Sequence, residues 1–319
     1  MLKTIIDCDP GQDDAVNLLM AMASRDVFDI LGITTVAGNV PLALTQRNCR
    51  MICDLAGCFD IGVYAGCDRP ILRDLVSAEI VHGQTGIDGI TVFEPKTPLQ
   101  TRHGVDFIVE TLLAAEDDSI TLVPTGPLTN IAMAIARAPA IIGKIHQIVM
   151  MGGAMREGGN FSPSAEFNIL VDPEAAHIVL GCGRPVVMAG LDVSHKLLAS
   201  PDRLARIAAM SGAVPEAVYH MLNFFNRFDT EKYGTEGAPL HDPCTIAWLL
   251  QPELFQSKLC NVSVETASPL TLGHTAVDFW HVTDKPKSVH WLYDVDVEGF
   301  FDLLTRKIAF FATRDGCHG

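Results

Sequence analysis

The sequence predicts an α/β fold: a single domain, residues 1–319, with a mostly parallel central sheet flanked by helices and a small region of strands near the C-terminus. Three observations lead there. Short β-branched runs alternate with helix-period segments over the first two-thirds of the chain. The composition, 48% hydrophobic and 19% charged, supplies a large core and excludes disorder as the main state. No internal repeat, linker or low-complexity stretch divides the 319 residues.

In chain order, Thr4-Ile5-Ile6 forms a strand that runs into an acidic turn and a helix from about Asp14 to Ser24. Ile30 to Val36 is a second strand, followed by a helix from about Leu42 to Ala56. Ile120-Thr121-Leu122-Val123 precedes a helix near Leu128 to Arg137. Gln147-Ile148-Val149-Met150 precedes a Gly-rich loop, and Pro185 to Met188 is a further strand. Strand, turn, helix, strand at this spacing gives right-handed βαβ units and a Rossmann-like core, with the ligand beyond the carboxyl ends of the strands. Pro201 to Phe228 reads as helical. Asp229 to Leu240 is polar and Gly-rich without a period, as in a mobile surface loop or lid. Asp242-Pro243 has the form of an N-cap and a first-position proline, opening a helix through Leu250. Strands return over residues 259–294, and Val297 to Phe311 is a last amphipathic helix. Arg314 to Gly319 reads as a disordered tail, and Cys317-His318 is too sparse for a metal site.

Charge and cysteine usage bound the partners. Lys plus Arg (23) against Asp plus Glu (38) gives −15, which opposes binding to a nucleic-acid polymer or an anionic membrane. No apolar run approaches the roughly 18 residues of a membrane span. The N-terminus does not read as a signal peptide, and nine scattered cysteines fit a reducing compartment, so a cytoplasmic location is expected. Cys49, Cys53 and Cys58 lack a C-x2-C pair and a nearby histidine; they read as small buried hydrophobes rather than zinc ligands.

The turn after the first strand carries the chemistry. Asp7-Cys8-Asp9-Pro10-Gly11-Gln12-Asp13-Asp14 places four carboxylates within eight residues. Like charges this close raise one another's pKa or require a cation. Capping of the next helix accounts for Asp13 or Asp14 but not for Asp7 and Asp9 as well, so a hard cation held by oxygen is the more economical account. An EF-hand loop is excluded, because Gly11 and Gln12 stand where its fifth ligand and sixth glycine belong. The opening Asp-x-Asp is also similar to that of haloacid-dehalogenase phosphatases, but Gly11 replaces their Thr or Val.

The string from Asp7 to Ala15 resembles the signature of the nucleoside hydrolases of the inosine-uridine-preferring type. The resemblance continues through Ile33 to Asn39, His82-Gly83, Leu122 to Asn130, Met151-Gly152-Gly153, Ala165 to Asn168, Asp172 to Ala176, Gly190 to Val193 and His241 to Cys244, covering roughly residues 3 to 250. It implies a Ca2+ ion held by Asp9, Asp14, the Thr125 carbonyl and Asp242, a set of oxygens that suits calcium better than magnesium. It implies hydrolysis of the N-glycosidic bond of a free nucleoside through an oxocarbenium-like transition state, with Asp9 acting as base towards a Ca2+-bound water.

Ribose recognition falls by the same resemblance to Asp13, Asn39, Asn160, Glu166 and Asn168, with the backbone of Met151 nearby. His241 protonates the leaving base, and His82 is a second histidine near it. Phe228 and Tyr233 are the aromatic residues available to reach over the base. Trp248, Trp280 and Trp291 fall outside the matching segments, unlike the stacking tryptophans of purine-specific relatives. A homo-oligomer, dimer or tetramer, and a role in nucleoside salvage or catabolism are also implied. Two alternatives stand beside this reading: a non-catalytic nucleoside or ribose binder on the same scaffold, and a Mg2+-dependent phosphohydrolase.

Overall fold

In the computed structural model, which describes residues 1–312, the chain opens with β1 (Leu2–Cys8), whose alternation sends Ile5 to one face of a sheet and Ile6 to the other. Helix α1 (Gln12–Met22) is buried along its whole length. Next come β2 (Phe28–Thr35), α2 (Leu42–Leu55), β3 (Val63–Ala65), α3 (Glu79–His82), β4 (Leu99–Gln100) and α4 (Gly104–Leu113). The middle of the chain forms β5 (Ile120–Pro124), α5 (Thr129–Arg137), β6 (Ile145–Met151), α6 (Phe167–Val171), α7 (Pro173–Leu180), β7 (Val186–Ala189) and α8 (Leu191–Ser194). The last part forms α9 (Pro201–Ala208), α10 (Ala213–Tyr233), α11 (Pro243–Leu250), β8 (Phe255–Cys260), β9 (Val262–Val264), β10 (Thr275–Val277), β11 (Val289–Val295) and α12 (Val297–Ala312).

Nine strands form one sheet in the order β4-β3-β2-β1-β5-β6-β7-β11-β8, parallel throughout except where β8 runs against β11. The chain builds outward from β1 in both directions, so the strand order reverses between β1 and β5. A crevice opens beyond the carboxyl ends there. Helices α1, α2, α10, α11 and α12 bury their apolar residues against one face, and α4, α5 and α7 cover the other. A sheet covered on both faces accounts for the near-continuous apolar runs of β1, β5 and β6.

The strands expected near the C-terminus are present and divide between two sheets, and one expectation changes. Of the strands between residues 259 and 294, only β9 and β10 make a separate two-stranded ribbon, whereas β8 and β11 extend the main sheet. The segment from Asp229 to Leu240 is not a loop throughout: α10 continues to Tyr233, and the rest is tied to the stretch after α8 by Ala199 N–H to the Ala238 carbonyl (2.9 Å) and Leu240 N–H to the Leu197 carbonyl (2.9 Å). No described helix is long and apolar enough to cross a membrane. The tail from Arg314, with Cys317 and His318, lies outside the described residues.

Candidate active site

The loops at the carboxyl ends of β1, β2, β5, β6 and β7 surround a cavity of about 660 Å³, and the start of α11 closes it. Asp13, Asn39, His82, Thr125, Met151, Asn160, Glu166, Asn168, His241 and Asp242, all expected from the sequence, line it together. Asp9 and Asp14 lie beneath this lining, almost wholly buried.

The acidic turn divides its work. Asp7, still in β1, is a structural tie: its Oδ1 accepts from Thr34 Oγ1 (2.5 Å) and Asn130 Nδ2 (2.8 Å), joining β1 to β2 and α5. Burial pushes its carboxyl up to about 7 against those two hydrogen bonds. Asp14 does cap α1, accepting from Gly11 N–H (3.0 Å), but its other oxygen takes the Thr125 hydroxyl (2.7 Å) across to β5. Asp9 Oδ2 accepts the Asn39 N–H (2.7 Å), while its Oδ1 is buried with no hydrogen-bond partner.

Asp242 occupies the N-cap position of α11 without using its side chain as a cap. Its carboxylate joins those of Asp13 and Asp14, with ligand atoms all within 4.8 Å of one another. Asp13, expected to hold ribose, thus joins Asp14 and Asp242 in this cluster, and Asp9 is near enough to interact electrostatically with all three. Burial raises all four carboxyls, Asp13 to about 7, and their mutual repulsion adds to the rise for Asp9, Asp13 and Asp242. None of the ion pairs among the described residues reaches this cluster. Buried, crowded carboxylates without a basic partner, one of them with an unpaired oxygen, fit a hard divalent cation.

Beside the floor, Asn168 Nδ2 donates to the Thr125 carbonyl (2.7 Å). Glu166 caps α6 through Asn168 N–H (2.9 Å) and Ile169 N–H (3.2 Å) and also takes Gly153 N–H (2.9 Å). Asn160 Oδ1 accepts from Phe167 N–H (3.0 Å), so it braces the loop before α6 as well as facing the cavity. Asp192, between β7 and the cavity, holds the same loop by accepting Met155 N–H (2.7 Å) and Arg156 N–H (2.8 Å). Asp172, part of another matching segment, faces no ligand: it caps α7 and takes Thr129 Oγ1 (2.7 Å) and Ile71 N–H (2.9 Å).

The opposite wall is aromatic and imidazole. His82 Nδ1 lies 2.8 Å from Gln12 Oε1, and its ring stacks 5.4 Å from that of Phe225. A side chain at position 11 would collide with this ring, which explains Gly11. His241 Nδ1 lies 2.8 Å from Ser194 Oγ. Burial first, then the neighbouring His195 and His82, push the His241 imidazole down to about 3. Phe228 and Tyr233 both reach the cavity, their rings edge to face at 6.3 Å. None of Trp248, Trp280 and Trp291 does; Trp291 is a core residue and Trp280 lies on the surface. Sequence reasoning missed Gln12, Glu157, His195, Phe225 and Asp229. The one usable signal was position: His195 follows Asp192 just past the carboxyl end of a strand, where ligands bind.

A parallel sheet whose strand ends converge on a carboxylate-floored, aromatic-walled cavity is the arrangement of an α/β enzyme acting on a small molecule. A family model described as inosine-uridine preferring nucleoside hydrolase matches residues 4–302. The chain is 46% identical over 96% of its length to a pyrimidine-specific ribonucleoside hydrolase, RihA, of Photobacterium profundum, covering 98% of that protein. It is equally similar, 46% over 96% of its length and 99% of the other's, to an uncharacterised protein of Schizosaccharomyces pombe. Among solved structures, a purine-preferring ribonucleoside hydrolase from Gardnerella vaginalis superposes with a TM-score of 0.90 at 31% identity, covering 98% of this chain and 99% of that one. The chain belongs to the inosine-uridine preferring nucleoside hydrolase family, and its reaction class is ribonucleoside hydrolysis.

Proposed function

We propose that the protein hydrolyses the N-glycosidic bond of free ribonucleosides, pyrimidine nucleosides foremost, to ribose and base, with Ca2+ held by Asp9, Asp14, Asp242 and the Thr125 carbonyl and with Asp13 beside it. The observation that carries this reading is the buried carboxylate cluster over an Asp9 oxygen that has no partner. When bound, Ca2+ supplies the positive charge that favours ionised water at the floor of the cavity.

Asp9 takes the proton of the attacking water. The Asn39 amide holds its Oδ2, which leaves Oδ1 free to accept. Asp13, Asn39, Asn160, Glu166 and Asn168 hold the ribose hydroxyls, and most of these side chains are already fixed by hydrogen bonds to backbone. The carboxylate floor stabilises positive charge as it grows on the sugar and repels a 5′-phosphate, which favours nucleosides over nucleotides. His241 gives a proton to the departing base, whose growing negative charge raises the imidazole's proton affinity as the bond breaks. His82 supports the base from the Phe225 side. Preference for pyrimidines is supported by the RihA relative at 46% identity against the purine-preferring structure at 31%. A homo-oligomeric, cytoplasmic enzyme of nucleoside salvage or catabolism completes the reading.

The test is ribose release from uridine, cytidine, inosine, adenosine and guanosine with calcium present. Uridine or cytidine is expected to give the highest kcat/KM. Absence of ribose from every one of the five rejects the reading.

A further inference from the structure

His195 and Glu157 line the cavity without a place in the floor or in the ribose site. His195 follows the last residue of α8, and Glu157 stands on the loop between β6 and α6. The two approach because Asp192 of α8 grips the backbone of Met155 and Arg156, setting Glu157 opposite the end of the same short helix. Glu157 Oε2 lies 3.0 Å from His195 Nδ1.

The His195 ring is 5.9 Å, centroid to centroid, from that of His241. The two imidazoles thus share a wall, and each is held through Nδ1, His241 by a serine hydroxyl and His195 by a carboxylate. The partner's chemistry separates them. A hydroxyl can donate or accept, whereas an ionised carboxylate only accepts, so Nδ1 of His195 carries hydrogen and Nε2 is left for the proton that exchanges. The His195 side chain is also one-third exposed, so solvent can restore that proton between turnovers.

We propose that His195, oriented by Glu157, is a second catalytic acid that hands a proton from Nε2 to the departing base; this rests on the nucleoside-hydrolase reading given under Proposed function. In the step, the C1′–N bond breaks and its electron pair leaves on the base. The His195 Nε2–H bond breaks and that proton joins the base. The water oxygen bonds to C1′, and its proton passes to Asp9. His195 then regains a proton from solvent while Asp9 releases one, so the sum is one water added across the bond. A nucleobase carries more than one acceptor atom on its edge, so while one imidazole delivers the single proton the departing base takes up, the other holds the base by a hydrogen bond.

The experiment compares uridine with p-nitrophenyl riboside, whose leaving group departs without protonation, using the full chain with calcium. His195→Gln is expected to lower kcat on uridine about 100-fold, the scale of one positioned acid, with KM moving less than about threefold. The loss on uridine should exceed the loss on p-nitrophenyl riboside at least tenfold. Glu157→Gln, a change at a half-exposed side chain that spares the fold, should show the same pattern at about tenfold in kcat, the effect of disorienting rather than removing the acid. Parallel losses on both substrates, or unchanged uridine turnover in both variants, overturn the role of His195 and leave the hydrolase reading standing. A wild type that turns over neither substrate rejects the hydrolase reading, and the proposal falls with it.

Discussion

Asp229 reaches the cavity mouth from α10, and burial pushes its carboxyl up to about 6, with His195 and Lys232 pulling the other way. Its folded pKa lies above the ordinary 3.8, so the cost of ionising it in place is absent below about pH 4 and complete above about pH 6. Asp229→Asn should therefore raise Tm near pH 8 by about 2 °C, from about 1 kcal/mol after solvent screening, and leave it unchanged at pH 4. A gain of the same size at both pH values would show that ionisation is not the cause. The contrast with the floor explains what could be read at this scale. Asp9, Asp13 and Asp14 announce themselves because crowded like charges need a reason wherever the chain goes. Asp229, Glu157 and His195 are single ionisable residues in unpatterned stretches, and only the folded cavity gives them neighbours.

The elements show the same division. The strands and helices nearest β1 were legible because both faces of the sheet are covered, which leaves long apolar runs between turn residues. Strands β3 and β4, of three and two residues, are too short for any period to register. Helix α4 opens on His103, whose Nδ1 accepts Val105 N–H (3.2 Å), a cap outside the usual Ser, Thr, Asp and Asn signals. The end of α10 reads as loop in the sequence because Asp229, Lys232 and Tyr233 face the cavity rather than the core, so the apolar period stops while the helix continues. The turn after β5 is where an element bears most directly on chemistry. A Cβ at Gly126 would lie 2.5 Å from Asp9 Oδ1, the oxygen assigned to the water. Gly126→Ala is expected to cut kcat on uridine about 100-fold, the scale of a misplaced base, with circular dichroism and Tm close to wild type. Retained turnover would remove that oxygen from the base role.

At the scale of the whole molecule, the net charge of −15 is not spread evenly in its effects. The four carboxylates of Asp9, Asp13, Asp14 and Asp242 are buried together, where their repulsion works against folding unless a cation compensates. Calcium bound to the native state alone should stabilise it by about 2.7 kcal/mol at one hundred times its Kd. Chelation should accordingly lower Tm by about 5 °C and abolish ribose release, with calcium restoring both. An unchanged Tm after complete chelation would count against an ion at the floor.

The same geometry has a consequence for biosynthesis. The floor joins α1 to α11, and Thr245 of α11 donates to Asn17 of α1 (3.1 Å) across 228 residues of chain. A nascent chain still lacking α11 holds three of the aspartates but not the fourth, and β11, which extends the sheet beyond β7, has yet to be made. The cavity therefore stays incomplete until Asp242 and α11 are made, and products truncated before them carry the acidic turn without an assembled floor.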